Sequence, residues 1–369
     1  MSSKPRQRPK NGEYVGEAIE RPMLTGTKES HDNVLQKKGR WTKIDGRDTI
    51  NAVAFLDGGE HVAGGGKEGK IRRWRIEDGQ EVGTPMDAGS PVCDIAVSPD
   101  GKWVVGGMES GSVAVWSAES HSKVTRFKAH SDRVRAVDVS PDGTEIATGA
   151  HDGTAHVWSL STGRRLADLS GYCNALVALK FSPDGRLIAS ATLVASVRIR
   201  DRQNGRLLVE FPIPVNPALN QSLAWASDSK RLFVLSRDGN IHCLDVSAGT
   251  SRWSIDGSTE SQCIVLASND KFIAASTLSS VSFWDTTTQL QTEFVVHHAA
   301  VISFMAISSN YDLVTAGLNL ITVHNLRDVL PSSYWYDVSA SASGVYCVKW
   351  FSDYFFDVYR RAQVRSFVP

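Results

Sequence analysis

Apolar residues in this chain fall in short runs that alternate with polar neighbours and are cut off by Gly, Pro and Asp. Alternation with period two sends successive side chains to opposite faces of a strand, and runs this brief are too short for helices. Val92–Val97, Val134–Val139 and Leu176–Phe181 lead into the same turn, Ser98-Pro99-Asp100-Gly101, Ser140-Pro141-Asp142-Gly143 and Ser182-Pro183-Asp184-Gly185, at steps of 42 residues. Pro presets φ, Asp bonds its own backbone, and Gly accepts a positive φ. A shorter run follows, such as Glu145–Thr148 or Leu187–Ser190, then a Gly/Asp turn, then a strand ending on a large side chain. That slot holds Trp74, Trp116 and Trp158 on the same 42-residue step, and similar steps reach Arg200, Leu244, Trp284 and His324. Three residues before it stand Ile71, Val113, Ala155, Val197, Ile241, Val281 and Ile321. A fourth run, for example Val124–Phe127, closes the unit.

Four short antiparallel strands cannot bury both faces of their sheet, so seven such units must stack radially around an axis. The expected fold is all-β: a seven-bladed β-propeller of four-stranded antiparallel blades. The run Trp41-Thr42-Lys43-Ile44 precedes the first unit as Val124–Phe127 precedes the third, which predicts closure of the last blade by an N-terminal strand. Three parts follow: a flexible polar arm over 1–40, the propeller over 41–326, and an aromatic-rich extension over 327–369.

These residues resemble the WD40-repeat family. Ala129-His130 stands for the family's Gly-His, Trp158-Ser159 for its Trp-Asp, and Trp284-Asp285 is the literal Trp-Asp pair. The resemblance implies a hydrogen-bonded tetrad of His130, Thr148, Asp152 and Trp158, complete in one unit, with the histidine donating to the aspartate. Tyr172 replaces the histidine in the fourth unit. Glu68, Ser110, Val194 and Leu278 stand in place of the aspartate, while Asp238 keeps the acid opposite Leu244. It further implies a non-catalytic scaffold or adaptor that holds a peptide or protein domain on one loop-covered face. Carried onto this chain, that face presents Arg47, Asp48, Lys67, Glu109, Arg133, His151, Tyr172 and Arg237. The alternatives are a propeller enzyme using channel carboxylates, for which the inner strands offer Asp94 and Asp138, or a regulatory or sensor subunit of a larger complex.

Charge narrows the partner class. Forty Lys+Arg balance forty Asp+Glu, so the formal net charge is zero. That argues against non-specific nucleic-acid or anionic-membrane binding, both of which need an excess of one sign. No apolar stretch is long enough to span a membrane, and Met1 to Lys10 is polar and basic, unlike a secretory signal. The five cysteines (Cys93, Cys173, Cys243, Cys263, Cys347) are scattered and form no C-x-x-C pair, which predicts reduced thiols in a cytoplasmic or nuclear setting. Lys37-Lys38-Gly39-Arg40 is a candidate nuclear-import cluster.

Two motifs look like chemistry. Gly64 to Ile71 satisfies G-x-G-x-x-G, but a phosphate loop needs a helix behind it, and Ile71-Arg72-Arg73-Trp74 is a strand, so a hairpin is expected. His297-His298 lacks metal-ligand spacing, and His297 falls on the position of His130, as a tetrad remnant would. No catalytic, cofactor or metal site is therefore expected. Val345–Tyr359 carries seven aromatics and reads as a helix or a truncated eighth repeat, packed on the propeller or docked to a partner.

Overall fold

The computed structural model describes residues 41–335, apart from 47–48, 170, 173, 194–195, 216–221, 256–262 and 267–269. The aromatic stretch Val345–Tyr359 and the basic cluster before Trp41 lie outside the described residues. Seven four-stranded antiparallel sheets make up the described chain. In six of them the strands lie in chain order, as in the third blade: Val134–Val139, Glu145–Ala150, Ala155–Ser159 and Arg165–Asp168. The seventh contains Phe304–Ile307, Asp312–Gly317 and Leu320–Asn325, and its outer strand is Trp41–Asp45. The pairing runs from Trp41 opposite His324 to Asp45 opposite Leu320. Closure by the N-terminal strand is thus present as the sequence predicts. Among the described residues, no helix is long and apolar enough to cross a membrane.

The slot keeps one place in all seven blades. Trp74, Trp116, Trp158, Arg200, Leu244, Trp284 and His324 stand opposite Val62, Val104, Ile146, Ile188, Leu232, Ile273 and Leu313 of the second strand. Register survives because a one-residue slip would turn every buried side chain of the strand outward. Burial lies between blades as well as within them. One apolar cluster joins Ile44, Ile321 and Val323 of the seventh blade to Val53 and Trp74 of the first and Val104 and Trp116 of the second.

The repeated Ser-Pro-Asp-Gly turns are hydrogen-bonded units. Ser140 Oγ donates to Asp142 Oδ1 at 2.6 Å and accepts from Glu145 N at 2.9 Å, and the turns at Ser98 and Ser182 repeat this. Gly143 has φ +70°, whereas Ser229, Asp270 and Tyr311 adopt φ of +56°, +58° and +66° in the corresponding turns of the last three blades. On the other face, in each of the first five blades the turn between the second and third strands bonds to the loop entering its blade, as His151 N does to Arg133 O at 3.0 Å. Gly64 to Lys70 is such a hairpin: His61–Gly66 and Lys70–Arg75 pair across it, with Lys70 bonded to Glu68.

The innermost strands of the first four blades each carry a bulge near that second face. Its extra residue is Asn51, Cys93, Arg135 or Val177. Past Leu326 the chain continues through two short 3-10 turns, Leu326–Asp328 and Ser332–Tyr334. Tyr334 and Trp335 set their rings edge-on to Phe272 at 5.7 and 5.9 Å, so the packed chain runs beyond Leu326.

Candidate functional site

The third blade holds a continuous polar chain through its interior. Trp158 Nε1 donates to Thr148 Oγ1 at 2.8 Å, and His130 Nε2 lies 2.7 Å from the same oxygen. His130 Nδ1 lies 2.7 Å from Thr154 Oγ1, which donates to Asp152 Oδ1 at 2.6 Å. Thr154 therefore stands between histidine and aspartate, whose own separation is 3.6 Å. Since Thr154 spends its proton on Asp152, it accepts from His130, which fixes the Nδ1–H tautomer. Asp152 also takes the backbone and hydroxyl of Ser131 on Oδ2, tying the entry loop to the turn. Burial pushes His130 down to about 4 and keeps it neutral. Burial alone would raise Asp152, but its hydrogen bonds from Thr154 and Ser131 outweigh that and hold it at about 2.

Other blades fill the same positions differently. In the fourth, Tyr172, Ser190 and Arg200 replace His130, Thr148 and Trp158: the Tyr172 hydroxyl lies 2.7 Å from Ser190 Oγ, and Arg200 Nε donates to it at 3.1 Å. In the first two blades Gly64 and Gly106 replace Thr148, and a Cβ there would come within 2.9 and 3.1 Å of the Trp74 and Trp116 rings. In the seventh the buried histidine is His298, not His297. His298 N donates to Ser279 O as His130 N donates to Gly111 O, while His297 ends the outer strand Gln291–His297 in solvent. His298 follows the Trp284 slot at the same spacing as His130 follows Trp116.

The face with the entry loops carries the residues proposed for partner contact. Glu109, Arg133 and His151 come together at the tips of the second and third blades. Arg133 Nη1 is 3.8 Å from Glu109, and His151 Nδ1 is 3.2 Å from Asp132. These four side chains are 45–49 % exposed. Tyr172 stands beside His151 in a cavity of about 340 Å³ completed by Asp152, Gly153, Asn174, Ala175 and Leu193. Lys67 and Arg237 are exposed on the turns of the first and fifth blades, and Arg47 and Asp48 lie outside the described residues. Asp132 and Asn174 were not legible as members of the group, because only the loop geometry brings them to it. Leu278, Val301 and Leu318 were missed as well; they stand 44 %, 47 % and 57 % exposed on the same face over the sixth and seventh blades.

Strands from all seven blades line a central cavity of about 390 Å³. Its charged side chains are Asp94, Asp138 and Lys180, from the second, third and fourth blades, in an otherwise mostly apolar wall. Asp94 accepts from Ile95 N and from Val137 N of the next blade, both at 2.9 Å. Asp138 accepts from Lys180 Nζ at 3.0 Å and from Phe181 N at 2.8 Å, again one blade on. Each carboxylate thus ties two neighbouring inner strands. Burial pushes Asp94 up to about 7, against the pull of Lys180 and the two amides. Burial pushes the thiols of Cys93 and Cys243 up to about 11, far from thiolate chemistry. Among the described residues no group of His, Cys, Asp and Glu could hold a metal ion.

The family model of the WD domain, G-beta repeat, matches residues 79–117 and 121–159. No curated protein matches the chain. Each matched segment begins before the outer strand of one blade and ends with the third strand of the next, so the sequence repeat straddles two blades. That offset is what leaves the last blade one strand short and Trp41–Asp45 to complete it. With two matched repeats, and the same strand order and slot register carried through seven blades, the chain is a seven-bladed β-propeller that carries WD40 repeats at 79–117 and 121–159.

Proposed function

We propose that this propeller is a non-catalytic platform that holds a peptide or protein domain on the face formed by the entry loops and the turns between second and third strands. The reading is carried by the meeting of Glu109, Arg133 and His151, with Tyr172 in the adjoining open cavity, at the tips of three successive blades. Exposed charges of both signs beside an aromatic suit recognition of one particular surface, and Arg and Tyr are frequent anchors in such contacts. A rigid ring supplies the positioning, so little conformational freedom is lost when the partner docks. The channel carboxylates are better suited to structure than to catalysis, because all four oxygens of Asp94 and Asp138 already accept hydrogen bonds. We place the protein in the cytoplasm or nucleus, where its thiols stay reduced.

The test is affinity capture from cell extract with quantitative mass spectrometry, comparing wild type with Arg133→Ala combined with Arg237→Ala. Depletion of a defined set of proteins by the folded double variant is expected. Capture that stays unchanged would reject this face.

A further inference from the structure

Resting on that assignment of the face, we propose the chemistry of its partner: a peptide segment carrying an aspartate or glutamate flanked by large apolar side chains. Two independent features of the face carry this.

The first is Arg135. It is the extra residue of the bulge in the innermost strand of the third blade, at the end nearest the loop that bears Arg133. Bulges re-aim a side chain and concentrate beside functional sites. Arg135 is partly buried, and burial pulls its guanidinium below the ordinary value, yet among the described residues it makes no hydrogen bond or ion pair. The acid beside it and those on the adjoining loops are already engaged. Asp94 gives both oxygens to backbone amides, Asp132 takes Arg133 N and lies against His151, and Glu109 lies against Arg133. A partly buried guanidinium whose donors no protein group takes up is well satisfied by an incoming carboxylate, which it can grip through two N–H groups.

The second is the apolar rim of Leu278, Val301 and Leu318. Three separate loops meet there: Ile302 N donates to Leu278 O at 2.7 Å, and Val301 O presses on Gly317, where a Cβ would lie only 1.7 Å away. Leu318 adopts φ +51°, in a turn where Gly or Asn is the ordinary choice. A leucine that is both strained and more than half exposed costs stability without contributing to the core, as expected of a contact residue. Of the exposed large hydrophobics, Val124, Leu166, Leu207 and Leu208 sit on outer strands and Leu290 in the turn before one, whereas these three share the face with Arg135.

The full chain is tested against short immobilised peptides in which a central Glu, Gln, Lys or phosphoserine lies between leucines, with a serine-flanked set alongside. Wild type is expected to hold the Glu peptide about tenfold or more tighter than the Gln peptide, the scale of one charge-assisted contact. Arg135→Gln should erase that preference, and Arg135→Lys should restore part of it. Leu278→Ser with Val301→Ser should weaken every leucine-flanked peptide and leave the serine-flanked set unchanged. Thermal melts establish that each variant is folded. Equal binding of Glu and Gln, or preference for Lys or phosphoserine, overturns the carboxylate assignment while the interaction face stands. Binding by wild type to no peptide overturns the proposal, and the capture experiment then decides separately whether the face itself is at fault.

Discussion

The third and seventh blades share one backbone plan and differ in what fills it. Both place a histidine at the entry loop and a threonine on the second strand: His130 and Thr148 in one, His298 and Thr315 in the other. The third adds Trp158, Asp152 and Thr154 and satisfies every step of the chain. The seventh ends on His324, and the Nε2 atoms of His298 and His324 are buried without a hydrogen-bond partner. Its acid position lies in the shortened turn Leu318-Asn319, and its glycine turn is held by Tyr311 at φ +66°. A propeller thus tolerates loss of its polar network where apolar packing between blades persists, since register depends on the alternating buried side chains. On the entry-loop face the two late blades instead expose Leu278, Val301 and Leu318.

The largest effect that would break this comparison is at the slot. Trp158→Ala should cost about 4 kcal/mol in urea unfolding, from lost packing together with a stranded Thr148 and His130. Acidification comes next. His130 and His324 are held down to about 4 by burial, and burial lowers His298 too, from an ordinary 6.5. The unfolded chain then binds protons that the folded chain refuses, so this stability is complete above pH 6.5 and is lost as pH falls towards 4. Asp94 works the other way. Raised to about 7, it favours the folded state at low pH and loses that contribution as pH rises from about 4 through 7. Thermal melts across pH 4–7 on wild type and Asp94→Asn separate the two, and an Asp94→Asn variant as stable at pH 4.5 as at 7 would contradict the histidine account.

A finer probe is the indole N–H alone. Trp158→Phe removes its bond to Thr148 and should cost about 1–2 kcal/mol. Trp284→Phe should cost less, because the sixth blade has Ala275 where Thr148 stands and its indole has no such acceptor. Equal losses in urea melts would mean that the network adds nothing beyond packing. Smallest is Leu318→Gly, which relieves a left-handed leucine and should raise stability by about 1 kcal/mol. On the proposal above, the same change weakens binding of leucine-flanked peptides.

The ring was legible because two signals share one period. Trp74, Trp116 and Trp158 mark the third strand, the Ser-Pro-Asp-Gly turns mark the first, and neither depends on the other. The N-terminal closing strand was readable for the same reason, from the likeness of Trp41–Ile44 to Val124–Phe127. Contacts set by a single atom or a single inserted residue were not. Thr154 lies two residues beyond the aspartate it serves, and only the fold of the turn brings its hydroxyl between Asp152 and His130. His298, not His297, follows the Trp284 slot at the spacing by which His130 follows Trp116, so the count had to start from the preceding blade. The rim of Leu278, Val301 and Leu318 comes from three loops that no linear pattern connects, and Arg135 stands out only once its neighbours' bonds are counted.

The seam has a mechanical consequence. Trp41 pairs with His324 at one end of an antiparallel ladder, and the chain leaves that same end in both directions, before Trp41 and after Asn325. Tension applied between those two exits loads the ladder from its end, so its bonds part in sequence and do not share the load. The molecule is therefore soft along one axis: a partner pulling on the segment before Trp41 would open the ring at the seventh blade, while the six blades built from consecutive strands keep their pairing.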